Sequence, residues 1–124
     1  MRRNLLSILG LIAFAFPPSI RAQQQDSDKA LYVVTHVDVT PPYIPGTVAA
    51  LTQFASDSRK DAGCLRFEVL GEVGRANHFT VVEVWRNRKA FEDHLASDHS
   101  RRFREKLQPM LGSPFDERLH NLIE

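Results

Sequence analysis

The sequence predicts an α+β domain whose elements follow the order β-α-β-β-α-α-β. The first observation is a run of alternating, largely β-branched residues at 31–39, which is typical of a strand. The second is an apolar spacing near 3.6 across residues 48–58, which indicates an amphipathic helix. The third is a pair of strand-like runs, 64–70 and 77–85, that follow one another and can form a hairpin.

Proline and glycine mark the limits of these elements. Pro41 and Pro42 end the first strand, because proline lacks the amide hydrogen that a sheet needs. Pro45 opens the following helix, and Gly63 is its predicted C-cap. Residues 71–76 separate the next two strands, so we expect a hairpin with a long loop.

Two helices and a final strand follow in the C-terminal part. Asn87 can cap the first helix, and Ser97 or Asp98 can cap a second helix that leaves at an angle. Residues 118–123 then alternate as in a strand. With the helices on one face of an antiparallel sheet, this order gives a ferredoxin-like unit.

Residues 1–22 have the layout of a secretory signal peptide. Two arginines precede an apolar run at 5–16, which is followed by prolines and the small residue Ala22. That run is about 12 residues long, whereas a membrane-spanning helix needs about 20. We therefore expect cleavage after Ala22 and export, with the periplasm the expected destination. A flexible leader at 23–29 and one folded domain at 30–124 would remain.

The charge balance gives no indication of a nucleic-acid or membrane partner. The full chain has 16 Lys and Arg against 15 Asp and Glu, and removal of residues 1–22 takes away three arginines and no acid. A basic run at 101–106 is interrupted by an acid, so we interpret it as an exposed helix face. We expect no nucleic-acid partner and no stable membrane insertion after cleavage.

Common catalytic signatures are missing from the sequence. It has no Gly-x-Ser-x-Gly elbow, no Gly-x-Gly-x-x-Gly loop, no phosphate loop and no Cys-x-x-Cys pair. These absences argue against hydrolase, nucleotide-binding and redox-disulfide functions. Cys64 is the single cysteine, so no intramolecular disulfide can form, and we interpret its thiol as buried and inert.

The spacing of the histidines gives weak support for a metal site. His94 and His99 are five residues apart, which places them about 140° apart on one straight helix. A break near Ser97 would bring them together, but the sequence provides no evident third ligand. We therefore predict no metal site, with His99 as a cap or surface group and His94 as an inward polar residue.

An aromatic ring, a carboxylate and an imidazole converge in the predicted fold. Strand alternation puts Glu83 and Trp85 on one face, and helix periodicity directs Phe91 and His94 inward. These groups can share one small apolar cavity. Two simpler interpretations stay open: Trp85 is a core residue, and Glu83 pairs with an arginine such as Arg66 across the hairpin.

The order and spacing of five short motifs resemble the antibiotic biosynthesis monooxygenase superfamily, in particular its quinol monooxygenase-like members. The motifs are Gly63-Cys64-Leu65, Glu83-Val84-Trp85, Phe91-Glu92-Asp93-His94-Leu95, Ser97-Asp98-His99 and Phe103. The resemblance covers residues 30–124. It implies a dimeric α+β barrel, in which two ferredoxin-like sheets pack face to face and each subunit keeps a pocket between sheet and helices. It also implies oxidation of quinols or polyphenols by O2 without metal, haem or flavin.

This chemistry requires a base, a group that holds the resulting anion and a dry cavity. Histidine suits the first role because it titrates near neutral pH. Under this resemblance Trp85 would stack on the substrate ring, and chemistry alone suggests Asn77 or Arg118 for the anion. The predicted site contains His94 or His36 as the catalytic base, with Trp85, Phe79, Phe67, Asn77 and Arg118 as substrate-binding residues.

The haem-degrading branch of the superfamily fits less well. Counted without gaps from Trp85, the tryptophan and the haem-ligating histidine of those enzymes fall on His94 and Arg104. Haem is therefore not expected. A non-catalytic dimeric module that binds a small aromatic ligand is the alternative function, because one fold can host unrelated activities.

Overall fold

The computed structural model describes residue 17 and residues 28–124. Apart from Pro17, the predicted signal peptide lies outside the described residues, as does most of the predicted leader. The strands are β1 (Leu31–Asp38), β2 (Cys64–Glu72), β3 (Arg75–Trp85) and β4 (Asp116–Asn121), and the helices are α1 (Ile44–Ser58), α2 (Arg88–Ala96) and α3 (Asp98–Leu107). Two short 3-10 turns, Pro41–Tyr43 and Gln108–Met110, precede α1 and follow α3. The predicted element order is confirmed.

The four strands form one antiparallel sheet in the order β2-β3-β1-β4. β1 lies in the middle, where Leu31 pairs with Trp85 of β3 and Val34 pairs with Arg118 of β4. The three described helices all pack against the same face of this sheet. We call it the inner face, and the opposite one the outer face. The structure thus confirms the α+β class and the ferredoxin-like arrangement.

The core lies between the inner face and the three helices. Its largest members come from both layers: Val33, Val37, Phe67, Phe79, Val81 and Trp85 from the sheet, and Leu51, Phe54, Phe91, Phe103 and Leu107 from the helices. Phe54 of α1 stacks on Phe103 of α3 with ring centroids 3.9 Å apart, and it meets Phe67 of β2 edge-on at 5.3 Å. Burial of each such side chain contributes about 1.5–3 kcal/mol. This aromatic contact therefore fixes α1 and α3 against the sheet. No helix among the described residues is long and apolar enough to cross a membrane.

Side-chain caps produce the break between α2 and α3. The Asn87 side chain accepts a hydrogen bond from Ala90 N at 2.9 Å, which confirms the predicted cap of α2. The Ser97 Oγ accepts from Ser100 N at 3.3 Å and donates to the carbonyl of His94 at 2.7 Å. Ser97 is itself extended, so α2 ends and α3 begins at a new angle.

The last strand is Asp116–Asn121 rather than 118–123, and two further predicted boundaries are wrong. The hairpin loop is Val73-Gly74 alone rather than residues 71–76, because Glu72 and Arg75 pair with each other and carry the strands up to the turn. Helix α1 ends at Ser58, well before Gly63, because residues 59–64 close a series of tight turns instead. Strand pairing and turn geometry overrode the local sequence signals in both places.

Gly63 has a role that a helix cap does not explain. It adopts a φ of +80°, and its carbonyl accepts a hydrogen bond from Arg86 N at 2.8 Å. A Cβ atom at this position would lie only 2.6 Å from the Cβ of Ala90. Glycine therefore lets the connection between α1 and β2 lie directly against the start of α2.

Gly63→Ala should lower the free energy of unfolding by about 3 kcal/mol, because it combines a strained φ with a steric clash. Gly74→Ala is the matched control, since Gly74 has a φ of +84° but nothing within 4 Å of an added Cβ. It should cost only about 1 kcal/mol. Urea denaturation measures both, and equal losses for the two variants would contradict close packing at Gly63.

Candidate functional site

Asp61 joins two histidines at the centre of the candidate site. Its Oδ2 atom lies 2.8 Å from Nδ1 of His94 and 2.9 Å from Nε2 of His99. Asp61 belongs to the connection between α1 and β2, His94 to the last turn of α2 and His99 to the first turn of α3. A carboxylate only accepts hydrogen bonds, so both histidines donate to it through these nitrogens. We call Asp61, His94 and His99 the Asp–His–His triad.

The triad fixes the tautomer of His94. With the proton on Nδ1, the Nε2 atom carries a lone pair. Nε2 is buried, has no hydrogen-bond partner among the described residues and lies 3.9 Å from Oε2 of Glu83. Burial lowers the pKa of His94 and outweighs the opposing effect of Asp61. His94 is therefore a neutral, oriented imidazole near pH 7.

Trp85 and Glu83 complete the buried side of the site. Trp85 Nε1 donates to Glu83 Oε2 at 2.8 Å, and the indole stacks on His94 with ring centroids 4.5 Å apart. Burial raises the pKa of Glu83 to about 7, so this carboxyl is about half protonated at pH 7. The suggested pairing of Glu83 with Arg66 is wrong, because Phe67 is the residue opposite Glu83 and Arg66 binds Glu68 at 2.6 Å.

Aromatic side chains enclose His94. The rings of Phe54, Phe67 and Phe91 have their centroids 5.5, 5.9 and 6.4 Å from that of His94. Trp85, His94 and Glu83 are 0%, 2% and 3% exposed. A substrate can therefore reach Nε2 of His94 only when this cluster opens.

Two predicted site residues lie on the outer face of the sheet. His36 contacts Thr80 Oγ1 through Nδ1 at 3.2 Å, and Arg118 forms a bidentate pair with Asp116 at 2.8 and 2.9 Å. The sheet separates both residues from His94. Neither shares a cavity with the triad within one subunit.

Two others lie on the inner face but at its far end. Asn77 donates to Asp38 Oδ1 at 3.0 Å and to the carbonyl of Val39 at 3.1 Å. Phe79 is six residues before Trp85 on β3, a distance of about 20 Å along the strand. Of the predicted set, the structure brings together only His94, Trp85 and Phe67.

Cys64 is partly exposed rather than buried. Burial, followed by the charges of Glu83 and Asp61, raises the pKa of its thiol. The protonated thiol is a poor nucleophile, which agrees with the interpretation of this cysteine as inert.

Sequence reasoning missed Asp61, Arg104 and Glu117. Arg104 donates from one NH2 group to Glu117 Oε2 at 2.6 Å, and its guanidinium carbon lies 5.6 Å from the Phe115 ring centroid. The available signal was the phase of α3, because Arg104 lies four residues after Ser100 and three before Leu107, which are both buried. Asp61 carried no local signal, because its partners are 33 and 38 residues away.

The triad also supplies the third donor that the sequence lacked for a metal site. Its ligand atoms all lie within 4.8 Å of one another. Nitrogen and oxygen ligands at 2.0–2.1 Å around a tetrahedral ion are about 3.3 Å apart. The separations of 2.8 and 2.9 Å are those of hydrogen bonds, so the side chains would have to spread to accept an ion.

The family model for antibiotic biosynthesis monooxygenases matches residues 30–106, which is more than half of the chain. The chain belongs to this family. The matched residues run from β1 to the last turn of α3 and include the whole triad. They also include Glu83, Trp85 and Arg104.

Relatives of this antibiotic biosynthesis monooxygenase domain are distant in sequence. An uncharacterized protein from Synechocystis sp. is 26% identical over 129 residues, which cover 100% of this chain and 88% of that protein. A solved structure of a candidate antibiotic biosynthesis monooxygenase from Nitrosomonas europaea has a TM-score of 0.74 at 16% identity, with 77% of this chain and 92% of that chain covered. A conserved protein from Methanosarcina mazei has a TM-score of 0.72 at 20% identity, with 79% and 97% covered. These two structures share the fold.

The raised pKa of Glu83 makes the stability of this domain depend on pH. The folded state retains the proton up to about pH 7, whereas the unfolded chain releases it near its ordinary pKa. The stabilising contribution of Glu83 is therefore complete at low pH and is lost as the pH rises through about 7. The parent protein should therefore lose about 3 kcal/mol of unfolding free energy relative to Glu83→Gln as the pH rises from 4 to 8, because glutamine does not titrate.

Urea denaturation at several pH values measures this difference. Glu68→Gln is the control, because the hydrogen bond from Arg66 lowers the pKa of Glu68 and the difference should change in the opposite direction. If the difference in unfolding free energy between Glu83→Gln and the parent protein does not change with pH, the buried, protonated carboxyl is contradicted.

Proposed function

We propose that the protein is an exported, cofactor-independent monooxygenase that oxidises a quinol or polyphenol-type aromatic with O2. The observation that supports this proposal best is the buried Nε2 of His94, which has a lone pair, no partner among the described side chains and a fixed orientation from Asp61. A carboxylate that orients a histidine in this way prepares it to accept a proton. Membership of the antibiotic biosynthesis monooxygenase family supports the reaction class.

The proposed reaction uses His94 as the general base. Nε2 takes the hydroxyl proton of the bound quinol, and the electron-rich anion then reduces O2. One oxygen atom forms a new carbon–oxygen bond on the ring, and the other leaves as water. A quinol and O2 give a hydroxyquinone and water, so the ring supplies all four electrons and no other reductant is needed.

Glu83 suits the role of a proton donor beside this base. In its neutral form it can donate to a partly reduced oxygen atom, and it adds no negative charge next to the substrate anion. Activity should rise with pH as His94 becomes neutral and fall as Glu83 ionises near pH 7. Because the two groups are 3.9 Å apart, the two apparent pKa values belong to the pair.

The proposal predicts O2 uptake by residues 23–124 with a panel of quinols, corrected for autoxidation. His94→Gln should lower kcat about 100-fold or more, because the base is lost. Asp61→Asn should lower it about 10-fold or more, because the tautomer is no longer fixed. His36→Gln is the matched control and the test of the second predicted base, and it should leave kcat unchanged.

Full activity of His94→Gln in a folded protein would contradict the assignment of the base. Uptake should also survive treatment with a chelator. Loss of uptake on chelation, with recovery on addition of a divalent metal, would contradict the cofactor-free mechanism and assign the triad to a metal ion instead.

A non-catalytic module that binds a small aromatic ligand is the second candidate function. The closed aromatic cluster around His94 supports it, because His94 and Trp85 are nearly inaccessible. Saturable binding of quinols without any O2 uptake would favour this function over the monooxygenase.

A homodimer is part of the proposal. The outer face presents Tyr32, Val34 and Val82, and Leu70 of β2 is 48% exposed. No described helix covers this face, and a second sheet would bury these apolar groups. Light scattering should give twice the mass of one chain, and a stable monomer at micromolar concentration would contradict the barrel.

Export is supported by the layout of residues 1–22. Expression of the full chain in a bacterium should yield a periplasmic product whose mass corresponds to cleavage near Ala22. An uncleaved cytoplasmic product would contradict export.

A further inference from the structure

We propose that Arg104 holds the oxyanion of the bound aromatic through its buried Nε–H, so that the ligand is an aromatic compound bound as a phenolate. This inference rests on the proposed function and names the form in which the substrate is held. Sequence reasoning suggested Asn77 or Arg118 for this role. Both have other partners, because Asn77 binds Asp38 and Val39 while Arg118 pairs with Asp116.

The Nε of Arg104 is a donor without an acceptor. It is buried and has no hydrogen-bond partner within the described part of the chain. A buried N–H with no acceptor is unfavourable, so it is expected to meet a ligand or water oxygen. The rest of the guanidinium is anchored, since its NH2 group binds Glu117 at 2.6 Å and its carbon lies 5.6 Å from the Phe115 ring centroid. Arg104 is therefore a preorganised cation with one free donor.

Arg104 acts on the groups of the proposed reaction. The strand pairing places it near the carboxyl, because its partner Glu117 lies opposite Thr35, a diagonal neighbour of Glu83 on the inner face of the sheet. The positive charge of Arg104 contributes to the lowered pKa of His94 and partly opposes the rise in the pKa of Glu83. An anion formed beside His94 would therefore experience the same positive charge. Glu117 neutralises part of that charge and keeps the guanidinium in place.

Two further buried hydroxyl groups lie near the Arg104–Glu117 pair, between α3 and the inner face of the sheet. Ser100 precedes Arg104 by one turn of α3, and Thr35 pairs with Glu117 across β1 and β4. Both hydroxyl oxygens are buried and have no partner among the residues described. Together with Nε2 of His94 and Nε of Arg104, they make four polar atoms between the helices and the inner face that are buried without a partner among the described residues. Such an arrangement is typical of a site that a polar ligand completes.

The chemistry of the two nitrogen atoms is complementary. Arginine stays protonated at all relevant pH values, so Arg104 cannot serve as the base and can serve as a fixed positive partner. The hydroxyl proton of the ligand moves to Nε2 of His94, and the negative charge that stays on the ligand oxygen is held by Nε–H of Arg104. The proton transfer leaves the net charge of the site unchanged, and each new charge faces an opposite one: the imidazolium of His94 faces Asp61, and the ligand oxygen faces Arg104.

The test uses 4-nitrophenol as the probe, because its phenolate absorbs at a longer wavelength than its phenol. The parent protein should bind it as the phenolate at a pH where the free probe is largely protonated. Arg104→Met should weaken binding about 10-fold or more and leave the bound probe as the phenol. Arg104→Lys should restore part of the phenolate absorbance, because it keeps the charge but not the fixed fork.

Arg102→Gln is the matched control, since Arg102 is exposed on the same helix and should not change the spectrum of the bound probe. Phenolate binding by Arg104→Met with the affinity of the parent protein would overturn the inference, as would failure of the parent protein to bind the probe. If Arg104→Met does not fold, a spectrum of Arg104→Lys identical to that of the parent protein would overturn it as well.

The test of the Arg104 anion site can fail or succeed independently of the test of monooxygenase activity. Phenolate binding that depends on Arg104, without O2 uptake from any quinol, would support the anion site and contradict the monooxygenase. O2 uptake with an unchanged KM and kcat in Arg104→Met would support the monooxygenase and overturn the role of Arg104.

Discussion

The two hydrogen bonds to the carboxylate of Asp61 are the interaction on which the site depends. They join the connection after α1 to the end of α2 and to the start of α3. Ser97 makes this possible, because it ends α2 and lets His99 turn toward His94. The carboxylate then determines which nitrogen of His94 carries the proton, and so whether a base faces the interior. The side chain of Asp61 therefore both connects three parts of the fold and orients the candidate base.

The interior on the other side of His94 contains a buried carboxyl group. Glu83 has a single neutral donor, the indole of Trp85, and no cation within hydrogen-bond distance among the described residues. A carboxyl group in this environment stays protonated more readily than it stays charged. The molecule thus keeps a neutral base beside a carboxyl group that is about half protonated near pH 7. That combination is difficult to keep in water and is favoured by burial.

Local patterns predicted most of the fold but less of the site. The order of elements and the caps Asn87 and Ser97 followed from residue types that act within a few positions of themselves. The short hairpin turn did not, because cross-strand pairing of Glu72 and Arg75 outweighed their weak strand preference. The role of Asp61 could not be predicted from local patterns, because its two histidine partners are distant in sequence and approach it only in the folded chain. His36 was the second choice of base after His94, and the sheet places the two on opposite faces.

The stacking of Trp85 on His94 has an optical consequence. The chain contains one tryptophan, so its tryptophan fluorescence comes from this indole alone. A charged imidazole in van der Waals contact quenches indole emission far more strongly than a neutral one. The brightness of the native protein therefore reports directly whether His94 carries its second proton, without any added label. The protonation state of His94 can therefore be followed by the fluorescence of Trp85.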